Sequence, residues 1–289
     1  MKKEVVFMDG DFKRLLDITS ALRGENGCPW DKKQTPESMK KYIIEEAYET
    51  IQAIDDKDKT ELCEELGDLL FQVVFQAQMA KEEGLFDIND VIKGISDKMI
   101  MRHPHIFGGK GAEDFKNVSA SSSDAFLGKW EDHKKEEKGY TTQSEVLRAI
   151  PPALPALIRA EKVLFKAENA GLDMADIDPS YADFDALAED IKELSSAEKD
   201  SMEEKFGEVM LKMVNISRKI QINTEFSLTK ATEQFINKFE YIESSAENDN
   251  LQLKVMSAGL KKSLWKPDGQ SAADENKYNF SSYIEEDKK

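Results

Sequence analysis

The sequence predicts an all-α protein built as two tandem helical bundles. Apolar residues recur at three- and four-residue steps in segments bounded by helix start and stop signals. The pattern of segments begins again after about 140 residues. A composition of 40% hydrophobic and 34% charged residues suits helices with large exposed faces. The 289 residues suffice for two domains of ordinary size. The expected division is a first bundle over residues 1–110, a linker over 111–149, a second bundle over 150–244 and a polar, disordered tail over 245–289.

In chain order, residues 11–23 (DFKRLLDITSALR) read as a short amphipathic helix with Leu15, Ile18 and Leu22 inward. The next stretch, GENGCPWD, is rich in turn formers. Its Trp30 has two readings: an indole stacked on a nucleobase, or a plug at the end of the bundle. Thr35-Pro36-Glu37 then supplies an N-cap, a proline at the first helical position and an acid in the first turn. Ile43, Ala47, Ile51 and Ile54 define the stripe expected to be buried on that helix. At about 100° per residue, Glu46 stands about 60° from Ile43 and Glu49 about 60° further round. Glu45 points more nearly away.

Asp58 with Glu61 resembles a capping box and opens the second helix. Its expected stripe is Leu62, Leu66, Leu69 and Val73, and Glu65 and Asp68 stand to it as Glu46 and Glu49 stand to theirs. Past Leu69 this helix is apolar on nearly every side, so it needs neighbours all round, either a dimer partner or the second domain. The third helix, DINDVIKGISDKMIMR, is stopped by His103-Pro104. Lys98 and Arg102, four apart, share one of its faces. His103 and His105 read as part of that stop rather than as metal ligands.

A stretch with VSASSS (residues 118–123) and the charged run KWEDHKKEEKG (residues 129–139) reads as linker. From Ile150 the chain starts again. LIRAEKVLFKAENAGLD echoes the first helix and its loop, Glu189-Asp190-x-x-Glu193 echoes Glu45-Glu46-x-x-Glu49, and FGEVMLKMVNISR and KATEQFINKFEYIE follow in the order of the second and third helices. The chemistry is altered in this copy. Lys205 stands where Glu65 does, Glu208 where Asp68 does and Gln234 where Lys98 does, while Lys238 matches Arg102. A lysine in place of a carboxylate puts a fixed positive charge where a cation would bind. Catalysis is therefore expected in the first copy, and scaffolding or dimerisation in the second.

Composition excludes several classes of function. No run of about 18 apolar residues is present to span a membrane, and the N-terminus lacks an apolar signal core. Cys28 and Cys63 are isolated, which fits reduced thiols and a cytoplasmic protein. A net charge of −17 argues against binding nucleic acid by bulk electrostatics. A phosphate substrate would then need a metal and a few placed basic residues.

The acidic residues admit a bland account, a solvated helix face. That account predicts basic partners three or four residues away. Lys41 supplies one for Glu45, but Glu46, Glu49, Glu65 and Asp68 have none. Two carboxylates about 4 Å apart repel by about 4 kcal/mol at an effective dielectric of 20, so four converging ones need a cation or a raised pKa. Oxygen-only ligands without His or Cys fit a hard ion, Mg²⁺ or Mn²⁺.

Taken together, Glu45-Glu46-x-x-Glu49 followed by Glu65-x-x-Asp68 resembles the signature of the MazG family of nucleoside triphosphate pyrophosphohydrolases, within the all-α NTP pyrophosphatases. GCPWDKKQT (residues 27–35), GDLLFQVVFQAQMA (67–80) and RHPHIFG (102–108) are similar to that family as well. The resemblance implies tandem MazG-like domains, the second degenerate. It implies Mg²⁺-dependent cleavage of NTP or dNTP to the monophosphate and pyrophosphate, in nucleotide-pool housecleaning, by a homodimer. Glu46, Glu49, Glu65 and Asp68 are then the metal ligands, Lys98 and Arg102 the phosphate clamps, and Glu45 or another carboxylate the general base. Other readings of the same residues are a non-catalytic nucleotide or metal sensor, a helical interaction protein, and a narrow-specificity dUTP or dCTP pyrophosphatase of the same class.

Overall fold

A computed structural model describes residues 12–108, 138–196, 198–248 and 251–265, and among these the chain is helical with no strand. It divides into two compact units, residues 1–134 and 135–289. The serine-rich part of the expected linker and most of its charged run lie outside the described residues.

The first unit contains α1 (Phe12–Arg23), α2 (Pro36–Asp56), α3 (Lys59–Glu82) and α4 (Ile88–Arg102). Thr35 caps α2 in a capping box with Ser38, with Pro36 in the first turn. Lys57, left-handed at φ 58°, ends α2. Asp58 immediately caps α3, accepting from the backbone N–H groups of Thr60 (2.8 Å) and Glu61 (3.1 Å). A two-residue turn therefore folds α3 back along α2, the most extensive helix pairing in the chain. Asp87 caps α4 in a box with Asp90. At the other end of α4, the His103 ring donates from Nδ1 to the Met99 carbonyl at 2.7 Å, which fits a helix stop.

The stripes expected to be buried are covered only in part, at Ala47, Ile51, Leu62 and Leu69. Ile43 (36% exposed), Ile54 (54%), Leu66 (51%) and Val73 (43%) remain open. The face of α2 turned inward is Met39, Tyr42, Glu46, Thr50 and Ala53, and that of α3 runs through Glu65, Leu69, Gln72 and Met79. Met39, Phe75 and Met79 form the core, with Tyr42 and Phe71 against it. The physical reason is that each helix carries two apolar faces, and periodicity marks both without saying which one meets the neighbour inside the unit.

Arg23, at the end of α1, joins three parts of the unit. Its guanidinium donates to Glu82 at the far end of α3 (Nη2–Oε2 2.8 Å) and to the carbonyls of Asp31 (2.6 Å) and Gln34 (3.2 Å), and lies 5.2 Å from the centre of the Phe75 ring. The loop so pinned is tight. A Cβ on Gly27 would meet the Leu22 carbonyl oxygen at 2.1 Å.

The second unit contains α5 (Gln143–Arg148), α6 (Ala156–Asn169), α7 (Phe184–Leu194), α8 (Lys199–Lys219), α9 (Thr224–Asn248) and α10 (Ala258–Leu264). The order α6 to α9 repeats α1 to α4, with α7 cut to 11 residues against 21 for α2. Leu164, Tyr181 and Val214 form one core cluster and Leu187, Val209 and Ile216 another. The segment expected to be a tail from residue 245 instead continues α9 to Asn248 and then adds α10. Leu260 and Leu264 are buried against Ile242 and Ala246, and Trp265 stands edge-on to Phe235 at 5.2 Å. One apolar residue per turn of a seven-residue helix is enough to dock it, and a polar average conceals that. Residues beyond Trp265 lie outside the described range.

Two substitutions test this framework. Gly27→Ala forces a backbone shift and is expected to cost about 2 kcal/mol or more in denaturant unfolding. Arg23→Met strips donors from two carbonyls and Glu82 at once, for a loss of about 2–3 kcal/mol. Glu82→Gln, which keeps an acceptor for Arg23, should lose less than half of that.

Candidate metal centre

The antiparallel pairing of α2 and α3 sets the site. Glu46 and Glu65 both lie on the inward faces described above, and Glu49 is one turn beyond Glu46. Glu46, Glu49 and Glu65 each offer a carboxylate oxygen, and these oxygens lie within 4.8 Å of one another. Asp68 stands outside that group and is exposed, yet it is close enough to act on its members by charge. Desolvation, then the charge of Asp68, push the Glu46 carboxyl above the ordinary glutamate range, against the hydrogen bond from Gln72, with Glu49 pushing the same way as Asp68. Desolvation, then Glu49 and Asp68, also push Glu65 up. Glu45 is exposed on the outer side of α2. The structure thus brings three of the four expected ligands together and sets the fourth beside them.

The other expected site residues lie on α4 and in the loop before α2. Lys98 is half-buried on α4 and Arg102, one turn further, is buried. Trp30 is 51% exposed with its ring edge-on to Tyr42 at 6.0 Å. Lys41 lies over the Tyr42 ring at 4.5 Å.

One residue at the cluster was not anticipated. Gln72, 5% exposed, donates from Nε2 to Glu46 Oε1 at 3.2 Å. Its own Oε1 is buried without a hydrogen-bond partner. A buried amide oxygen left unpaired is costly, and here it belongs to a side chain hydrogen-bonded to a carboxylate of the cluster. A hard divalent ion takes carboxylate oxygens directly and amide oxygens directly or through water, so the donor set fits such an ion. The signal in the sequence is a glutamine one turn after Asp68 on the same face, at 65, 68 and 72.

The matching place in the second unit is built differently. Lys212, nine-tenths buried, sets its ammonium 2.8 Å from both Asp178 and Asp190. Asp190 also has Ser180 nearby, and Glu193, Lys205 and Glu208 complete the walls of a cavity of about 80 Å³. Burial presses Lys212 toward neutrality, but the bonds to Asp178 and Asp190 outweigh it and hold its pKa above the ordinary lysine value. The same bonds, with help from Ser180, pull Asp178 down to about 2. Lys205 was expected to disable this copy. The residue that holds the two carboxylates is Lys212.

The two units therefore respond oppositely to charge. A carboxylate raised in the fold destabilises it as pH rises through the raised value, so Glu46→Gln should raise the melting temperature of the metal-free chain at neutral pH. Asp178 is lowered in the fold, so its contribution is present above the ordinary aspartate pKa of about 4 and is lost as pH falls from there toward about 2. Acid titration with near-UV circular dichroism should show that loss, and Lys212→Met should abolish this part of the titration.

Comparison with known proteins brings the geometry into a family. A family model for the MazG nucleotide pyrophosphohydrolase domain matches residues 34–107, a span that holds all five acidic residues, Gln72, Lys98 and Arg102. A Thermotoga maritima protein named nucleoside triphosphate pyrophosphohydrolase/pyrophosphatase MazG is 40% identical over 246 residues, covering 85% of this chain and 90% of its own. An Escherichia coli K12 protein named nucleoside triphosphate pyrophosphohydrolase is 38% identical over 257 residues, with 87% and 94% covered. The uncharacterized Bacillus subtilis protein YabN is 40% identical over 266 residues, covering 91% of this chain but only 52% of its own length.

Proposed function

The chain belongs to the MazG family of nucleotide pyrophosphohydrolases, and we propose that it hydrolyses nucleoside triphosphates to the monophosphate and pyrophosphate at the carboxylates of its first unit. The observation that carries this reading is the meeting of Glu46, Glu49 and Glu65 oxygens within 4.8 Å. The same place in the second unit is filled by Lys212.

Glu46, Glu49 and Glu65, with Asp68 beside them, would hold Mg²⁺, or Mn²⁺ in its place. When bound, the ion lowers the pKa of a coordinated water and polarises phosphate oxygens. The residues of the chain do the rest. Gln72 fixes the orientation of Glu46. Lys98 and Arg102 neutralise charge on the outer phosphates as pyrophosphate departs. Trp30 offers an aromatic face to the base. A cluster carboxylate left free by the ion accepts the proton of the attacking water; Glu45, on the outer side of α2, is turned away from that role.

Among the described residues no helix is long and apolar enough to cross a membrane. The cytoplasmic placement rests on the isolated thiols, and the absence of nucleic-acid binding on the net charge of −17. A homodimer is favoured by the open apolar face of the first unit, where Leu66, Leu70 and Val73 follow one another at three- and four-residue steps along α3. Stripes of this kind usually meet a partner.

Pyrophosphate release from a panel of NTPs and dNTPs with Mg²⁺ tests the activity. The wild type should release it, Glu49→Gln should fall by about 10²-fold or more, and chelation should abolish turnover. Glu193→Gln should match the wild type; a loss confined to that variant would move the chemistry to the second unit. Sedimentation should give twice the 32.7 kDa chain mass, and Leu70→Asp should give the monomer.

A further inference from the structure

We propose that one helical position sets the cation of each unit: Gln72 leaves the first cluster open to a divalent ion and orients Glu46 toward it, whereas the ammonium of Lys212 occupies the corresponding place in the second cluster and closes it to metal. The inference rests on the metal-dependent reading above and goes beyond it, because it names the residue that separates a metal-binding copy from a metal-free one.

Two independent correspondences equate the positions. In sequence, Glu65, Asp68 and Gln72 on α3 match Lys205, Glu208 and Lys212 on α8 at a constant offset. In structure, each of the two makes the same contact across the helix pair. Gln72 Nε2 reaches Glu46 Oε1 at 3.2 Å, and Lys212 Nζ reaches Asp190, the counterpart of Glu46, at 2.8 Å. Both side chains are at least nine-tenths buried, so neither is a surface group that swings away.

What differs is the charge delivered and the bonding left over. The glutamine brings none, and its Oε1 is buried with no partner. A neutral amide between a carboxylate and an empty acceptor position is half of a hydrogen-bonding arrangement. The missing half is a donor, and a water on a divalent ion is a strong one. The lysine delivers a full charge. Its ammonium serves Asp190 and Asp178 together and lies 5.6 Å from the centre of the Tyr181 ring. A divalent ion entering there would meet a buried positive charge already satisfied by the carboxylates it needs, with Lys205 on the same cavity wall. Like charges brought together at low dielectric repel strongly.

The test is Mn²⁺ binding to the full chain, followed by electron paramagnetic resonance of free Mn²⁺, which needs no turnover. The wild type should bind. The triple variant Glu46→Gln/Glu49→Gln/Glu65→Gln should lose all tight binding, because the second unit is closed. Gln72→Lys should weaken binding at least tenfold while its metal-free melting temperature rises, since the new ammonium neutralises the cluster. Lys205→Glu/Lys212→Gln, placed in the triple-variant background, should restore tight binding, now in the second unit. Wild-type affinity in Gln72→Lys, or tight binding kept by the triple variant, overturns the proposal and leaves the metal-dependent reading standing. Absence of Mn²⁺ binding to the wild type overturns both. If Gln72→Lys does not fold, the triple variant alone decides whether the second unit is closed.

Discussion

Carboxylates that converge between two packed helices repel one another, and every other feature of the first unit bears on how that repulsion is contained. The helix pair cannot relax by sliding apart, because a two-residue turn at Lys57 and Asp58 ties one end. At the other, Arg23 ties α1 and the 31–34 loop to the end of α3. The core of Met39, Phe75 and Met79 lies between these ties. The fold therefore holds Glu46 and Glu65 in place, and desolvation, then the charges of Asp68 and Glu49, raises the pKa of both. A site that costs stability when empty is one that a cation stabilises on binding.

The second unit meets the same constraint with a different cation. Its helix order is that of the first, and its Asp190 stands where Glu46 does, but the neutralising charge is carried on the chain. Ion pairs of this burial contribute little net stability over an apolar pair. What Lys212 provides is a counter-charge carried on the chain itself, shared by Asp178 and Asp190. The two units thus differ less in fold than in the source of one positive charge.

Much of this was legible in the sequence, and the failures have identifiable causes. Caps at Thr35, Asp58 and Asp87 are local hydrogen-bond chemistry, so the helix starts could be read directly. The acidic residues could be paired because helical spacing fixes their faces. Which apolar positions would be buried could not be read, since Ile43 and Leu66 satisfy the periodicity as well as Ala47 and Leu69 do, and the buried Met39 lies outside the expected stripe. The burial of Glu46 follows from that choice of face and was visible only as an edge position. Gln72 and Lys212 escaped because each acts across the helix pair, on a residue more than twenty positions away. Helix α10 escaped because its anchors are two leucines in a polar stretch.

The lysine at the second site also bears on how the two copies can change over generations. Replacing Lys212 alone by a neutral residue leaves Asp178 and Asp190 facing each other without their shared counter-ion, and replacing Lys205 alone by an acid adds a further negative charge to a cavity that Asp190, Glu193 and Glu208 already line and whose ammonium is already committed. Each single step toward an open second site therefore passes through a less stable protein, and only the pair of changes together reaches the arrangement seen in the first unit. The same holds in reverse at Gln72 only weakly, since a lysine there would relieve repulsion at once. A lysine at this position lies downhill in stability and a return to glutamine uphill, so exchange between the two residues is biased toward the lysine.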